Sequence, residues 1–547
     1  MLKPKKMSKV LIVGNKAVLE KTVTTLYDLQ IIHIIDYHGQ DEGFEVGRPA
    51  KRSSLFSEYI LSLRSLKNVL NLSKGAGSHE VADFEFSHDF KDQLDRLESS
   101  VMARRRKIED IEVLLADIEK IDTAEDISSL DLSDDVKHIM RDLVRSKDNL
   151  SKEKDDLKKE LLSINEEYRS FILAAEHFLS REIEKAETPL RLATTENTFL
   201  LEGWIPSERI PDASEALERE TSDQTALIEL ESMDDEQPTY VYTPRAIKPF
   251  DVLVDMYATP RPDDIAPTLL IAFTFPLFYG IMLGDTGYGL SLLALVLLLK
   301  RRFTTPGWSS LLNILQYASY FTMAFGLVYG EFFGFELYDI LGIHHIAGIH
   351  MPIAHRLEEI VPLLMASVGI GVLHLTAGYL LGFANVLRRE GFMHAVYEKL
   401  SWLGILYCLI GMVLAPTLIK PLGVALVACI ALMYKGEGMQ GLIEIFSLIS
   451  NLVSYTRLLA IGLSSVGIAL AINEIVFNVL MPKGAVFGIV GVLLLVFGHT
   501  LNLALGILAS FLHSIRLQYV EFFNKFYRGG GTKFVPLGVR KEEVHTQ

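Results

Sequence analysis

Two arginines lie inside long apolar segments, where a permanent charge is costly. Arg457 follows Asn451-Leu-Val-Ser-Tyr-Thr, and Arg516 ends the run His513-Ser-Ile-Arg. An ionisable side chain at the centre of a bilayer costs about 2.5–3.5 kcal/mol on insertion scales. Arginine keeps its proton, so each guanidinium must meet an anion, either inside this chain or on a partner. Such residues are typical of ion pathways, and an internal salt bridge is the structural alternative.

Several carboxylates near these segments could carry protons. Glu444 precedes Arg457 by 13 residues, which is about 220° of helical rotation, so the two side chains are not expected to pair. Asp285 could face a water cavity or cap a helix N-terminus. Glu331 could belong to an ion path or be an interfacial carboxylate. Weaker candidates are Glu474, His374 and His499.

The composition predicts two halves of opposite character. The 547 residues include 49% hydrophobic residues yet carry a net charge of -15, and the mean hydropathy is +0.26. Charged residues are frequent up to about Phe250, whereas from about Pro267 to Phe526 long apolar runs carry isolated charges. We therefore expect a soluble half and a polytopic membrane half. The acidity argues against a nucleic-acid partner.

Other classes of protein and site are excluded by short-range patterns. The cysteines, Cys408 and Cys429, both lie in apolar segments, which excludes a disulfide framework and a cysteine metal site. No Gly-x-x-x-x-Gly-Lys loop is present, so we expect neither a nucleotide site nor a cofactor. The N-terminus lacks the pattern of a signal peptide, which favours a cytoplasmic soluble half.

The soluble half, residues 1–250, is predicted to be an α/β lobe with a long helical arm. Strand-like runs occur in residues 1–50 and again in 190–245, which would form one lobe from distant pieces of chain. Between them, in residues 53–187, apolar residues recur in heptads on two segments. This pattern predicts an antiparallel coiled-coil hairpin on the order of 50–70 Å long. Such an arm would hold a partner, or be a solvated helix pair without a binding role.

The membrane half, residues 251–530, is predicted to contain about eight transmembrane helices, since each span needs roughly 20 apolar residues. The segments are Ala266–Met282, Gly287–Leu299, Leu311–Phe333, Ile360–Leu387, Val396–Ala415, Leu422–Tyr434, Leu442–Leu480 and Val486–Phe523. The last two are long enough to require tilt.

Basic residues cluster in the loops on one side of these spans. They are Lys300, Arg301, Arg302, Arg388, Arg389, Lys399, Lys435, Lys525, Arg528 and Lys533. By the positive-inside rule this side is cytoplasmic, together with the N-terminus and a C-terminal tail of residues 531–547. The first outer loop contains His344, His345, His350 and His355. They could bind a metal ion, but we favour a polar loop at a proton exit and expect no metal site.

Several motifs resemble the a/I subunit family of rotary V-type and A-type ATPases. They occur in the same order as in that family and span most of the membrane half. The motifs are Lys248-Pro-Phe250, Tyr257-x-x-Pro260, Asp264-Ile-x-Pro267-Thr268, Phe275-Pro276-Leu-Phe-Tyr-Gly-Ile-Met-Leu-Gly284-Asp285-x-Gly287-Tyr-Gly289, Glu444, Ser454-Tyr455-Thr-Arg457-Leu458, and Leu512-His513-Ser-Ile-Arg516-Leu-x-Tyr-Val-Glu521-Phe.

The resemblance implies a non-catalytic stator subunit beside a ring of c-type proteolipid subunits. Arg457 would keep each passing ring carboxylate deprotonated and block a direct proton leak between two half-channels, and Arg516 would reinforce its field. Glu444, with Asp285 or Glu331, would serve the cytoplasmic half-channel. The family also implies peripheral-stalk subunits of the E/G type and a central-stalk adaptor subunit as partners, in a cell membrane.

The chain departs from the family pattern in three places. Ser465 stands where eukaryotic members have a histidine, and Gly506 stands where they have a glutamate. The outer half-channel must then use other groups, such as His513, the outer-loop histidines or water. About Asp122 to Asp135 would join the two arm helices, too few residues for the second lobe that relatives carry there.

Two functions of other classes remain as alternatives. An ion-coupled secondary transporter with a coiled-coil regulatory arm would be favoured by inverted internal repeats, which we do not see. A membrane-anchored scaffold without an ion path is opposed by the two arginines in apolar segments, because an anchor gains nothing from them.

Overall fold

The computed structural model describes residues 3–39, 43–70, 72, 86, 89–122, 134–231, 237–303, 305–338, 342, 345–346, 349–350 and 353–539. For residues 119–122, 134–144, 345–346 and 349–350 the backbone alone is described. Most of the predicted junction at the tip of the arm, and His344 in the outer loop, lie outside these ranges. The absence of a distal lobe therefore stays a prediction.

The N-terminal lobe contains an antiparallel sheet built from both ends of the soluble half. Its strands are β1 Met7–Asn15, β2 His33–Ile34, β3 Glu45–Val46, β4 Ala193–Thr194, β5 Thr198–Pro206 and β6 Thr225–Leu230. The order is β3-β4-β5-β1-β6, and β2 also pairs with β5. In the central pair Ile12 lies opposite Leu201, and both side chains are buried. The alternating burial along β1 places every second residue in the core.

Two helices pack near this sheet, α1 Leu19–Leu29 and α5 Ile210–Thr221. Their apolar residues Val23, Leu26 and Leu217 join Ile12 and Leu201 in one buried cluster. Both helices end on residues in the left-handed conformation, Gln30 and Ser222, which close the last turn. The lobe thus has its own hydrophobic core, as the strand-like runs predicted.

The arm consists of three helices, α2 Ser53–Val69, α3 Phe90–Asp122 and α4 Asp134–Glu187. Ion pairs join Arg104 to Glu160 at 2.8 Å and Lys107 to Glu153 at 2.6 Å, so α3 and α4 run antiparallel. Heptad residues of α3 are buried, namely Leu94, Leu97, Val101, Ile108 and Ile111. Helix α2, which the heptads did not reveal, packs against the base of this pair. Regular coiled-coil knob packing stays a prediction.

The membrane half is helical. Its helices are α6 Asp251–Tyr257, α7 Thr268–Leu283, α8 Thr286–Arg302, α9 Pro306–Tyr329, α10 Ile360–Arg389, α11 Phe392–Leu414, α12 Ile419–Ser454, α13 Arg457–Glu474 and α14 Ala485–Arg516. Short strands β7 Glu331–Phe332 and β8 Phe335–Glu336 follow α9, and β9 His345–Ile346 and β10 Ile349–His350 form a second hairpin.

Five helical stretches of the described residues are long and apolar enough to cross a membrane, which makes this a multi-pass membrane protein. They are Pro306–Tyr329, Ile360–Arg389, Phe392–Leu414, Pro416–Lys483 and Ala485–Lys525. The fourth has a break at Gly438, with φ 64° and ψ -143°, a conformation that glycine adopts at little cost. This break separates the predicted sixth and seventh spans. Helix α7 is apolar but shorter, and the count of eight spans stays a prediction.

The two ends of α7 lie in different surroundings. Just before its first residue, Asp264 accepts a 2.7 Å hydrogen bond from Arg389, at the end of α10. Lys399 and Lys525 also pack near this end, against Gly382 of α10. The predicted cytoplasmic basic residues therefore gather at the start of α7, and the α7–α8 junction lies at its other end.

Residues 532–539, which belong to the predicted tail, dock on the N-terminal lobe. The N–H of Leu537 donates to the carbonyl of Ile32 at 2.7 Å. The Leu537 side chain is 4% exposed and joins the apolar core of the lobe. The N–H of Thr239 likewise donates to the carbonyl of Thr532. The end of the membrane half is thus attached to the lobe that begins the chain.

Candidate functional site

Arg457 is the first residue of α13, immediately after the turn that ends α12. Its Nη1 lies 3.4 Å from Oε1 of Glu521, and the two side chains are 27% and 1% exposed. Glu521 belongs to a π-helical turn, Leu517–Phe522, that continues α14. The two last long helical stretches therefore meet at a buried carboxylate and a guanidinium that remains partly accessible.

The neighbourhood of Arg457 is held by a histidine of α10. Nδ1 of His374 and the hydroxyl of Tyr455 form a 2.7 Å hydrogen bond. Tyr455 is fully buried, and it lies two residues before Arg457. This buried contact fixes the turn from which Arg457 extends.

The exposed side of Arg457 opens into an apolar groove. The groove has a volume of about 490 Å³ and is lined by Phe446, Ile449, Ser450, Val453, Ser454, Thr456 and Arg457. The apolar side chains in it are well exposed, with Phe446 at 79%. A cation placed among exposed apolar side chains of a membrane protein favours an anionic group on whatever covers that face.

Arg516 and His513 lie on α14 near the same pair. Arg516 is exposed, and His513 is partly exposed. Both arginines interact electrostatically with Glu521 and with His513. The structure therefore brings Arg457 and Arg516 near one carboxylate, Glu521, and places His513 near both arginines.

Glu444 lies on α12 toward the Lys399 and Lys525 end of the membrane half. It is exposed, accepts a 3.2 Å hydrogen bond from Gln440, and interacts electrostatically with Lys525. No ion pair joins Glu444 to Arg457, although both residues are described. Glu444 is thus a separate carboxylate on the side of the predicted cytoplasmic loops.

Asp285 caps α8 and also holds the turn after α9. Its oxygens accept hydrogen bonds from the N–H groups of Tyr288, Phe333 and Gly334 at 2.9–3.0 Å. The side chain is 2% exposed. The helix-cap interpretation of Asp285 describes this geometry, and both oxygens are used by the backbone.

Glu331 faces a buried arginine, Arg356. The Oε2 atom of Glu331 lies 3.5 Å from Nη1 of Arg356, and their side chains are 12% and 1% exposed. Asp285 and Glu331 are therefore neighbours at the α7–α8 junction, the end opposite to Glu444. The structure does not bring these two carboxylates to Glu444, with which the resemblance grouped them.

Sequence reasoning assigned no role to Glu521 or to Arg356. Glu521 stands in the apolar run Val520-Glu521-Phe522-Phe523, so the rule that flagged Arg457 would also have found it. Arg356 had no such signal, because its burial depends on contacts with α7 and α13 that are distant in sequence. Within the described residues, no group of three His, Cys, Asp or Glu side chains could hold a metal ion.

Known proteins resemble this chain along nearly its full length. A-type ATP synthase subunit I of Archaeoglobus fulgidus is 29% identical, over 98% of this chain and 99% of that protein. The subunit I of Halobacterium salinarum is 27% identical over the same shares. The subunit I of Thermococcus kodakarensis is 33% identical over 69% of this chain and 59% of that protein. The first alignment has 674 positions, more than the residues of this chain, so that relative has segments this chain lacks.

A family match covers the site itself. The family described as the V-type ATPase 116kDa subunit family matches residues 89–344 and 442–539, which is more than half of the chain. The matched ranges include Arg457, Arg516, Glu521, Asp285 and Glu331. The chain therefore belongs to the V-type ATPase 116kDa subunit family.

Proposed function

We propose that this chain is the membrane stator subunit of a rotary V/A-type ATPase or ATP synthase, and that its membrane half forms two proton half-channels against a ring of c-type proteolipid subunits. The relatives named A-type ATP synthase subunit I support this proposal. The observation that carries it is the guanidinium of Arg457, which is 27% exposed in an apolar groove. A carboxylate on a moving ring supplies the anion that this position requires.

Arg457 acts on the ring by electrostatics. An opposite charge within about 4–6 Å lowers a carboxyl pKa by about 1–3 units, so a ring carboxylate that passes Arg457 gives up its proton. A proton cannot then cross directly between the half-channels and must travel with the ring. Each charge that crosses 100 mV is worth about 2.3 kcal/mol, which couples proton flow to torque.

Glu521 fixes the position of the Arg457 guanidinium, and Arg516 raises the electrostatic potential around it. Glu521 holds one nitrogen of Arg457 from the inside at 3.4 Å, so the guanidinium keeps its place between ring carboxylates. Arg516 adds positive potential in the same region. His513 lies in the field of both arginines, and we place it in the proton path near them.

The cytoplasmic half-channel opens at Glu444. This residue is exposed and lies near Lys399 and Lys525, among the residues that the positive-inside rule assigns to the cytoplasm. The N- and C-termini lie on that side as well. The helical arm extends from the same side and binds peripheral-stalk subunits of the E/G type, and the central-stalk adaptor is a further partner. The chain is non-catalytic in this complex.

The test uses the complete complex in vesicles, with Arg457→Gln and the double change Arg457→Gln plus Glu521→Gln. ATP-driven acidification of the vesicle interior and assembly of the complex are measured together. We expect both variants to assemble and to lose proton pumping, while Lys420→Gln, a change at an exposed lysine, leaves pumping at the wild-type rate.

An internal salt bridge makes a different prediction. If Arg457 only balanced Glu521, neutralising both residues would leave no unpaired buried charge and pumping would return in the double variant. Pumping at the wild-type rate in Arg457→Gln itself would refute the stator role of this residue, and it would favour a scaffold.

A further inference from the structure

The hairpin of α8 and α9 contains basic residues but no carboxylate. From Thr286 to Gly330 the sequence has neither Asp nor Glu. Its basic residues are Lys300, Arg301 and Arg302, which form the last turn of α8. All the formal charge of this hairpin is therefore positive and is concentrated at one place.

Lys300 is held by neutral side chains of α9. Its ammonium group donates to Oδ1 of Asn313 at 2.6 Å and to Oε1 of Gln316. The next residue of α9, Tyr317, donates to the carbonyl of Ala246, in the segment that leads to α7. These contacts place the last turn of α8 at the end of the membrane half where α7 starts, the side that the positive-inside rule assigns to the cytoplasm.

Arg301 and Arg302 are exposed, and neither has an ion pair or a hydrogen bond with any residue that the structure describes. The amide oxygens on Lys300 carry no formal charge, so the described residues leave all three cations without a counterion. The end of a helix favours basic residues, and so does a cytoplasmic loop. These two effects explain why the cations are present, but neither effect supplies an anion.

Two aromatic rings lie next to the basic turn. Phe303 and Trp308 stack with their centroids 5.1 Å apart and an angle of 28° between the planes. The two side chains are 39% and 48% exposed. An exposed tryptophan of a membrane protein prefers the level of the lipid headgroups. Because Phe303 directly follows Arg302, the guanidinium groups lie near that level as well.

The face of α8 that leads up to the arginines is apolar and open. Leu297 and Leu298 are 49% and 63% exposed, and they precede Arg301 and Arg302 by four residues each. Residues four apart lie on the same face of a helix, so each arginine stands above an exposed leucine. A phospholipid can place its acyl chains along the leucines and its phosphate at the arginines, whereas a soluble phosphate gains nothing from the leucines.

We propose that the last turn of α8 is a binding site for an anionic phospholipid. Arg301 and Arg302 bind the headgroup phosphate, since a guanidinium donates two parallel hydrogen bonds to phosphate oxygens. Lys300, fixed by its two amide partners, adds positive potential at the same level. This inference is independent of the proposed stator function, because it uses no residue of the Arg457 site.

Trp308 provides the probe for this site. The other tryptophans of the chain, Trp204 and Trp402, are 2% and 4% exposed, so brominated lipids should quench mainly the fluorescence of Trp308. The full-length chain is reconstituted in vesicles of phosphatidylcholine and phosphatidylglycerol. In one set the phosphatidylglycerol is brominated, and in the other an equal amount of the phosphatidylcholine is brominated. Stronger quenching in the first set measures the enrichment of the anionic lipid beside Trp308, and Trp308→Phe should abolish the difference.

The variants separate a site from a general surface charge. Each basic side chain near an anionic headgroup is worth a factor of about 5 in binding, so Arg301→Gln plus Arg302→Gln should lower the relative binding constant of phosphatidylglycerol by about 25-fold. Arg301→Lys plus Arg302→Lys keeps the charge and should retain most of the enrichment. Arg388→Gln, at an exposed arginine in the last turn of α10, is the matched control and should leave the enrichment unchanged.

Equal quenching by the two brominated lipids in the wild type would overturn the inference, and this comparison does not depend on the folding of any variant. Equal losses in Arg388→Gln and in Arg301→Gln plus Arg302→Gln would show a diffuse surface potential instead of a site. The measurement is repeated with inorganic phosphate in place of chloride at constant ionic strength. Loss of the enrichment there would identify a site for soluble phosphate and refute the assignment to a lipid.

Discussion

The imidazole of His374 lies flat against the ring of Phe522, with centroids 4.0 Å apart and an angle of 14° between the planes. Phe522 follows Glu521, and the same imidazole bonds to Tyr455, two residues before Arg457. One side chain of α10 therefore fixes the backbone on both sides of the Arg457–Glu521 pair. The geometry of that pair depends on a residue that touches neither partner.

The first prediction concerns this histidine. His374→Phe should keep the stack on Phe522 but leave the buried hydroxyl of Tyr455 without its partner, at a cost of about 1–3 kcal/mol. The double variant with Tyr455→Phe should recover most of that loss, because both polar partners are then absent. Hydrogen exchange of the amides around Arg457 measures the free energy of local opening. Equal losses in the single and double variants would contradict the proposed support.

A second prediction concerns the attachment of the C-terminal segment. Leu537→Ala should weaken the docking of residues 532–539 on the lobe by about 2–5 kcal/mol, because it removes a buried side chain from a packed core. Faster hydrogen exchange at Leu537 and Val535 would report the loss. Leu61→Ala, at a site that is 66% exposed, should change nothing, and unchanged exchange in Leu537→Ala would argue against this attachment.

The base of the arm provides a third prediction. Phe90 is 1% exposed and packs on Tyr59 and Phe171, with ring centroids 5.6 and 5.9 Å away. Phe90→Ala should destabilise the packing of α2, α3 and α4 by about 3–5 kcal/mol. Limited proteolysis of the full chain should then cut the arm faster. Val113→Ala on the same helix, where the side chain is 62% exposed, should match the wild type.

A fourth prediction is a pH dependence at Asp251. Burial raises the pKa of Asp251 above its usual range, although hydrogen bonds from Thr268 and Thr243 favour the ionised form. Folding therefore favours the protonated acid. This contribution is present below the ordinary aspartate pKa of about 3.9 and is lost as the pH rises through the raised pKa.

The side chain of Asp251→Asn does not titrate, so only the wild type loses stability as the pH rises from about 4 through the raised pKa of Asp251. The stability of Asp251→Asn relative to the wild type should therefore increase over this pH interval. The thermal unfolding midpoints of the two full-length chains, compared at each pH, measure the difference. Glu196→Gln, an exposed position, is the control. Parallel curves for Asp251→Asn and the wild type would show that Asp251 does not titrate in this way.

The sequence predicts the two halves and the family well, because segregation of charge and the order of motifs are properties of the chain alone. Residue types were sufficient to single out Arg457 and Arg516, since a cation in an apolar run is visible without a structure. The partner of Arg457 was missed because Glu521 lies on another helix, and pairing between helices depends on their rotation and depth. The spacing of residues along one helix determines neither the rotation nor the depth of the neighbouring helix.

The grouping of Asp285 and Glu331 with Glu444 illustrates the same difficulty. The spacing of residues along the chain does not show which end of α7 lies near the turn that carries Glu331. The contacts do, because Arg356 binds Gly284 after the end of α7, whereas Arg389 binds Asp264 before its start. The docking of Leu537 was also missed, because nothing in the short segment of residues 532–539 indicates which surface its apolar side chains cover. Its partners in the described residues, such as Ile32 and Thr239, are distant from it in sequence.

The attachment of residues 532–539 to the lobe closes the chain into a mechanical loop. Helix α14 continues through residues 517–531 into this docked segment, and the lobe is also joined to α7 through residues 231–267. A sideways load on α14 therefore reaches the lobe by two routes, one through the docked segment and one through α7, on which α14 packs. With a single connection the lobe could rotate relative to α14. Two connections oppose that rotation, so we expect the lobe and α14 to rotate together.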